Sequence, residues 1–109
     1  MPTIYHYSGC STCKKALAWL RAHDVEFEAI DLVEKPPTQK TLKRVLELSG
    51  VALGKLFNTS GELYRSGGYK DRLAQMSESD ALRELAAHGK LIKRPLLVGD
   101  DFALVGFKE

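Results

Sequence analysis

A short run of β-branched and aromatic residues, Thr3 to Tyr7, leads within three residues into Cys10-Ser11-Thr12-Cys13. Apolar residues then recur at helical spacing through Cys13, Ala16, Leu17 and Leu20. The pattern predicts a strand that turns into a helix at the Cys-x-x-Cys pair, with the helix running from about Ser11 to His23. A strand feeding a helix in this way returns to a parallel neighbour by a right-handed crossover, so the pair constrains topology as well as chemistry. At a helix N-terminus, unpaired backbone N–H groups and the helix dipole favour a thiolate over a thiol. Cys10 and Cys13 are the only cysteines of the chain.

The remainder supplies a partner strand, several helices and a hairpin. Glu26 to Leu32 reads as the second strand. Pro36-Pro37 breaks the chain, Thr38 caps a helix with Leu42, Val45 and Leu46 on its inner face, and Gly50 stops it. Between Val51 and Met76, Asn58-Thr59-Ser60-Gly61 and Ser66-Gly67-Gly68 are turn signals around short helical pieces. Ser77 with Asp80 opens a further helix, Ala81, Leu82, Leu85 and Ala86 form its apolar face, and Gly89 is its predicted end. Pro95 to Val98 and Phe102 to Val105 flank Gly99-Asp100-Asp101 as a hairpin. The order predicts an α/β fold, a small mixed sheet with flanking helices. With Cys-x-x-Cys after the first strand, it resembles the thioredoxin fold.

At 109 residues, 44% hydrophobic and 28% charged, the chain reads as a single domain over 1–109 with a buried core. It has no apolar run of membrane-spanning length and no signal-peptide pattern, so the expected location is cytoplasmic, away from membranes. In a reducing compartment, two cysteines point to catalysis, regulation or metal binding rather than a structural staple. A net charge of +2, from interleaved basic and acidic residues, argues against a direct nucleic-acid partner. The expected state is a monomer.

Cys10 is the candidate nucleophile, and Cys13 the thiol that resolves its adduct by forming a Cys10–Cys13 disulfide. The plain alternative is a pair of small buried hydrophobes. Burial accounts for Cys13, on the apolar face of the helix, but not for Cys10 in a Gly-Ser-Thr turn. A zinc site would need two more ligands from His6, His23 and His88, and none has a partner at zinc-ligand spacing, so no metal is expected. His6, four residues before Cys10, either lowers its thiol pKa or simply faces solvent. Arg94 either aims its guanidinium at Cys10, where it would suit an oxyanion and a thiolate, or is a solvated member of the run Lys90 to Arg94. Lys14 and Lys15 add charge beside the cysteines or are solvated. His23 and His88 suit helix C-termini and read as structural. Tyr5, Trp19 and Phe102 read as core or rim.

Taken together, Tyr5-His6, Cys10 to Ala16, Trp19-Leu20, Ile30-Asp31-Leu32, Phe57 to Gly61, Arg94 to Val98 and Val105 to Lys108 resemble the arsenate reductase (ArsC)/Spx family of thioredoxin-like proteins. The likeness spans essentially the whole chain. It implies a four-stranded sheet, a helical insert at about 38–90 and a cis Pro95 facing the Cys-x-x-Cys turn. In the glutaredoxin-coupled reductases of this family, the residue matching Cys10 attacks arsenate. The one matching His6 assists the thiolate, and the one matching Arg94 holds the oxyanion. Ser11, Thr12, Asn58 and Pro95 complete the candidate substrate-binding set. The implied chemistry needs no bound cofactor, and electrons come from glutathione and glutaredoxin or from thioredoxin.

The chain departs from that pattern at three places. Those reductases usually lack the second cysteine, which here is Cys13. They carry arginines where this chain has Asn58 and Lys108. Each lost bidentate contact would weaken oxyanion binding by about 1.5–3 kcal/mol. An internal Cys10–Cys13 couple suits a disulfide substrate better than an oxyanion. The Spx branch does contain Cys-x-x-Cys, and its disulfide is a redox switch in regulators that bind the C-terminal domain of the RNA polymerase α subunit. The resemblance therefore implies a thiol-dependent oxidoreductase, with a redox-sensing transcription regulator as the alternative.

Overall fold

The computed structural model describes residues 1–107. Strand β1, Thr3–His6, is followed by helix α1, Ser11–Ala22, and strand β2, Glu28–Asp31. Next come the helices α2 (Gln39–Ser49), α3 (Glu62–Ser66), α4 (Tyr69–Arg72) and α5 (Glu78–Ala87). Strands β3, Leu96–Val98, and β4, Ala103–Val105, close the described chain. The sheet order is β2-β1-β3-β4. Strands β1 and β2 are parallel, and the pairs β1–β3 and β3–β4 are antiparallel. The fold is thus the α/β four-stranded mixed sheet that the sequence pattern predicts.

Alternation along the strands sorts the core into two layers. Ile4 and Leu97 face α1, where they meet Ala16 and Leu20. Tyr5, Leu96, Val98 and Ala103 face the opposite way, onto the larger cluster built by α2, α5 and the turns between them. Helix α1 therefore lies on one side of the sheet and the helical segment between β2 and β3 on the other.

The predicted caps form. Thr38 Oγ1 accepts from the Thr41 N–H at 3.1 Å, and Ser77 Oγ from that of Asp80 at 3.1 Å. Gly50 ends α2 at φ +70°, a conformation that favours glycine. Gly89 has a different role from the helix stop predicted for it. Helix α5 ends at Ala87, and Gly89 opens a buried 3-10 turn through Leu91. A Cβ at residue 89 would lie 2.0 Å from the Leu32 carbonyl oxygen, so glycine permits a close approach of this turn to the end of β2.

Two further contacts bring the helical segment to the sheet. Phe57 and Ile92 form an isolated antiparallel bridge, flanked by Asn58 N–H to Leu91 O at 2.8 Å and Lys93 N–H to Leu56 O at 2.7 Å. Arg44 of α2 donates to the Gly99 and Asp100 carbonyls in the β3–β4 turn. The 3-10 turn and the bridge deliver Lys90 to Arg94 to the start of β3, beside the end of β1.

Candidate active site

The centre of the site is the first turn of α1. Cys10 is its N-cap, with an extended backbone, and its Sγ accepts from the Cys13 N–H at 3.3 Å. Ser11 and Thr12 are the first two helical residues. Ser11 is exposed and Thr12 half-buried, and the Thr12 backbone N–H also favours the Cys10 thiolate. Cys13 lies one turn in and is fully buried, whereas Cys10 is half-buried, and both are free thiols.

The two sulfurs are held in opposite states. For Cys10, partial burial opposes ionisation and is the largest single influence. The Cys13 thiol, the Cys13 N–H, the Arg94 charge and the Thr12 N–H together outweigh it and hold the Cys10 pKa below the ordinary thiol value. For Cys13, burial and then the hydrogen bond and charge of Cys10 push the pKa up to about 12. A Tyr7 backbone hydrogen bond and Arg94 only partly offset this rise. The arrangement favours the thiolate at the half-buried Cys10 and the protonated thiol at the buried Cys13.

Arg94 is half-buried and forms a cis peptide bond with the buried Pro95. Its Nη1 donates to the Lys90 carbonyl at 3.1 Å. Its guanidinium carbon lies 4.9 Å from the centre of the Tyr7 ring. The structure thus brings Cys10, Cys13, Ser11, Thr12 and Arg94 into one site. Pro95 also lines an apolar hollow of about 580 Å³ between α1 and the sheet, with Ala16, Trp19 and Phe107.

Other candidates make no hydrogen bond to the sulfurs among the described residues. His6 is the last residue of β1, opposite Asp31, and its carbonyl accepts from Leu32 N–H at 2.8 Å. Among the described residues, no hydrogen bond joins its ring to Cys10. Asn58 is held in the turn it forms with Gly61, whose N–H donates to the Asn58 carbonyl at 3.0 Å. Lys108 lies outside the described residues. His23 caps the C-terminal end of α1, its ring stacked on Trp19 at 3.9 Å and its Nδ1 2.8 Å from the Trp19 carbonyl oxygen. Among the described residues, no group of three or more metal-ligating side chains comes together. No described helix is long and apolar enough to cross a membrane.

Tyr7 is the site residue that sequence reasoning passes over. It follows β1, accepts from the Cys10 N–H at 3.0 Å through its carbonyl, and carries the Arg94 guanidinium on its ring. Its position three residues before Cys10 marks it as part of the turn. Nothing local marks it as the partner of an arginine far along the chain.

The ArsC family model matches residues 5–109. The uncharacterized protein YusI of Bacillus subtilis is 47% identical over 107 residues, covering 98% of this chain and 91% of the relative. The regulatory protein MgsR of the same organism is 29% identical over 105 residues, covering 96% of this chain and 82% of the relative. Among solved structures, that of a possible arsenate reductase from Streptococcus mutans superposes with a TM-score of 0.93 at 44% identity. It covers all of this chain and 92% of its own.

Proposed function

This chain belongs to the ArsC family, and we propose that within it the protein is a cytoplasmic thiol-dependent oxidoreductase cycling a Cys10–Cys13 couple. The observation that carries this reading is the placing of the pair: Cys10 Sγ at the N-cap of α1, accepting from the Cys13 N–H at 3.3 Å, with Cys13 fully buried one turn in. The Cys10 thiolate attacks a substrate disulfide. A bond forms between Cys10 Sγ and one substrate sulfur, the substrate S–S bond breaks, and the leaving thiolate takes a proton. Once Cys10 is in the mixed disulfide, its negative charge and its hydrogen bond no longer hold up the Cys13 pKa. Cys13 then loses its proton more readily and attacks Cys10 Sγ, expelling the second substrate thiolate. Two protein thiols are oxidised and one disulfide is reduced to two thiols. Glutathione with glutaredoxin, or thioredoxin, restores the dithiol.

Asn58 and Lys108, where arsenate reductases of this type carry arginines, favour the disulfide over arsenate as substrate. The test is to mix reduced protein with oxidised glutathione or with arsenate and follow thiol loss in wild type, Cys10→Ser and Cys13→Ser. The expected result is turnover of the disulfide by wild type, none by Cys10→Ser, and a stable mixed disulfide on Cys13→Ser. Full activity in Cys10→Ser overturns the assignment of the nucleophile. Oxidation faster with arsenate than with the disulfide overturns the substrate class.

The likeness to MgsR favours a second reading, a redox-sensing regulator that binds the C-terminal domain of the RNA polymerase α subunit. Binding that changes on oxidation of the Cys10–Cys13 pair is its test, and no binding in either redox state removes it.

A further inference from the structure

We propose that Tyr7 is a positioning residue, its ring the platform that holds the Arg94 guanidinium beside the Cys10–Cys13 turn. The proposal rests on the reading of Cys10 as the nucleophile. A free arginine side chain samples many rotamers, and its charge acts on a thiolate only while it is held nearby. Arg94 has two restraints. The Lys90 carbonyl engages Nη1 at 3.1 Å, a single contact on a group with five donors that leaves its plane free to swing. The Tyr7 ring, 4.9 Å from the guanidinium carbon, supplies a second restraint and attracts the cation through its quadrupole.

Tyr7 is itself fixed to the cysteine turn. Its carbonyl accepts from the Cys10 N–H at 3.0 Å. Its ring lies over Gly9, where a Cβ would come within 2.8 Å of Cε2. Glycine at position 9 leaves the ring space to lie flat on the turn. One residue thus holds the cysteine turn at Cys10 through its backbone and the neighbouring counter-charge through its side chain. The charged or titratable groups that act on Cys10 are Cys13 and Arg94, and the Tyr7 ring carries the second of them.

The experiment is the pH profile of Cys10 alkylation by iodoacetamide in wild type, Tyr7→Phe, Tyr7→Leu, Arg94→Gln and the double variant Tyr7→Leu/Arg94→Gln. Tyr7→Phe keeps the aromatic face and is expected to retain the wild-type profile. Tyr7→Leu is expected to move the profile to higher pH and slow alkylation at pH 7 roughly two- to fivefold, the size of a partly exposed cation–π contact. In the Arg94→Gln background, Tyr7→Leu is expected to add nothing. An unchanged profile in Tyr7→Leu overturns the proposal, as does an equal loss in the presence and absence of Arg94. A second measurement needs no variant to fold. In the wild-type NMR spectrum the Arg94 δ protons should carry an upfield ring-current shift, and resonances at ordinary positions also overturn the proposal. Alkylation and NMR report the thiolate and its counter-charge whatever the substrate, so failure of turnover leaves this test readable.

Discussion

The opposed states of the two thiols predict selective chemistry at a single sulfur. A thiol at the ordinary value of 9.0 is about one-tenth thiolate at pH 8, and the Cys10 pKa lies below that value. With a pKa of about 12, Cys13 is thiolate in about one molecule in 10⁴ at that pH. Ionisation alone therefore separates the two alkylation rates by roughly 10³, and the complete burial of Cys13 widens the gap. The assay is a time course with limiting iodoacetamide at pH 8, read by peptide mass spectrometry, with the same chain in guanidinium chloride as control. The folded protein should label at Cys10 alone, and the unfolded chain at both positions at similar rates. The coupling has its own arm. In Cys10→Ser, loss of the Cys10 thiolate should lower the Cys13 pKa and speed its labelling at pH 9, while burial keeps it slower than in the unfolded chain. Comparable labelling of Cys10 and Cys13 in folded wild type refutes the reasoning. A Cys13 rate indifferent to Cys10→Ser refutes the coupling.

Gly89→Ala should destabilise the fold by about 1–3 kcal/mol by denaturant titration, because its Cβ meets the backbone carbonyl of Leu32 rather than a movable side chain. A change below about 0.5 kcal/mol would show that the turn has room to shift. Glu84 accepts from the Tyr69 hydroxyl at 2.9 Å and pairs with Arg72 at 2.9 Å, and its pKa is lowered by these contacts, first by the Tyr69 hydrogen bond. A carboxyl with a depressed folded pKa contributes stability that is fully present above its unfolded value near 4.5 and is lost as pH falls through the folded value. Glu84→Gln should therefore flatten the acid limb of the stability–pH curve. Its cost at pH 7 should stay below about 1 kcal/mol, because the Arg72–Glu84 pair is partly exposed. An acid limb parallel to wild type would remove Glu84 from that role.

What was legible in the sequence is local. The strand-to-helix switch at Cys10, the Thr38 and Ser77 caps and the Gly50 stop each depend on residues within one turn of each other. All four appear as their side-chain chemistry dictates. The order of elements, with the crossover rule, gives the parallel β1–β2 pair and the closing hairpin, but not the pairing of β3 with β1 that joins them. Gly89 was misassigned because a glycine after an apolar helical face normally signals a C-cap, whereas the constraint here comes from Leu32 on another element. The bridge between Phe57 and Ile92 was hidden for the same reason, since neither residue stands in an alternating run long enough to read as a strand. At the site, the paired cysteines declared themselves by spacing. The setting of Arg94 did not. Its sequence neighbours are basic and its two restraints come from Lys90 and from the distant Tyr7.

Arg94 also explains why the helical segment matters to the chemistry. Its Nη1 partner, Lys90, sits in the 3-10 turn that Gly89 lets approach Leu32, and the bridge between Phe57 and Ile92 sets the register of the residues that follow. A displacement of that turn would move the guanidinium, and Arg94 lowers the pKa of both thiols. The Lys90 turn is thereby linked to the redox pair through one cation, and any coupling between them would run through Arg94. In a reductase that coupling would tune the nucleophile to what binds against the segment. In a regulator it would run in reverse, because a change in charge at Cys10 alters the pull on Arg94 and so on the Lys90 turn. Linkage requires the two effects to be equal in free energy. The same geometry would suit either of the two proposed readings, and what would distinguish them is whether a substrate or a partner protein makes the second contact.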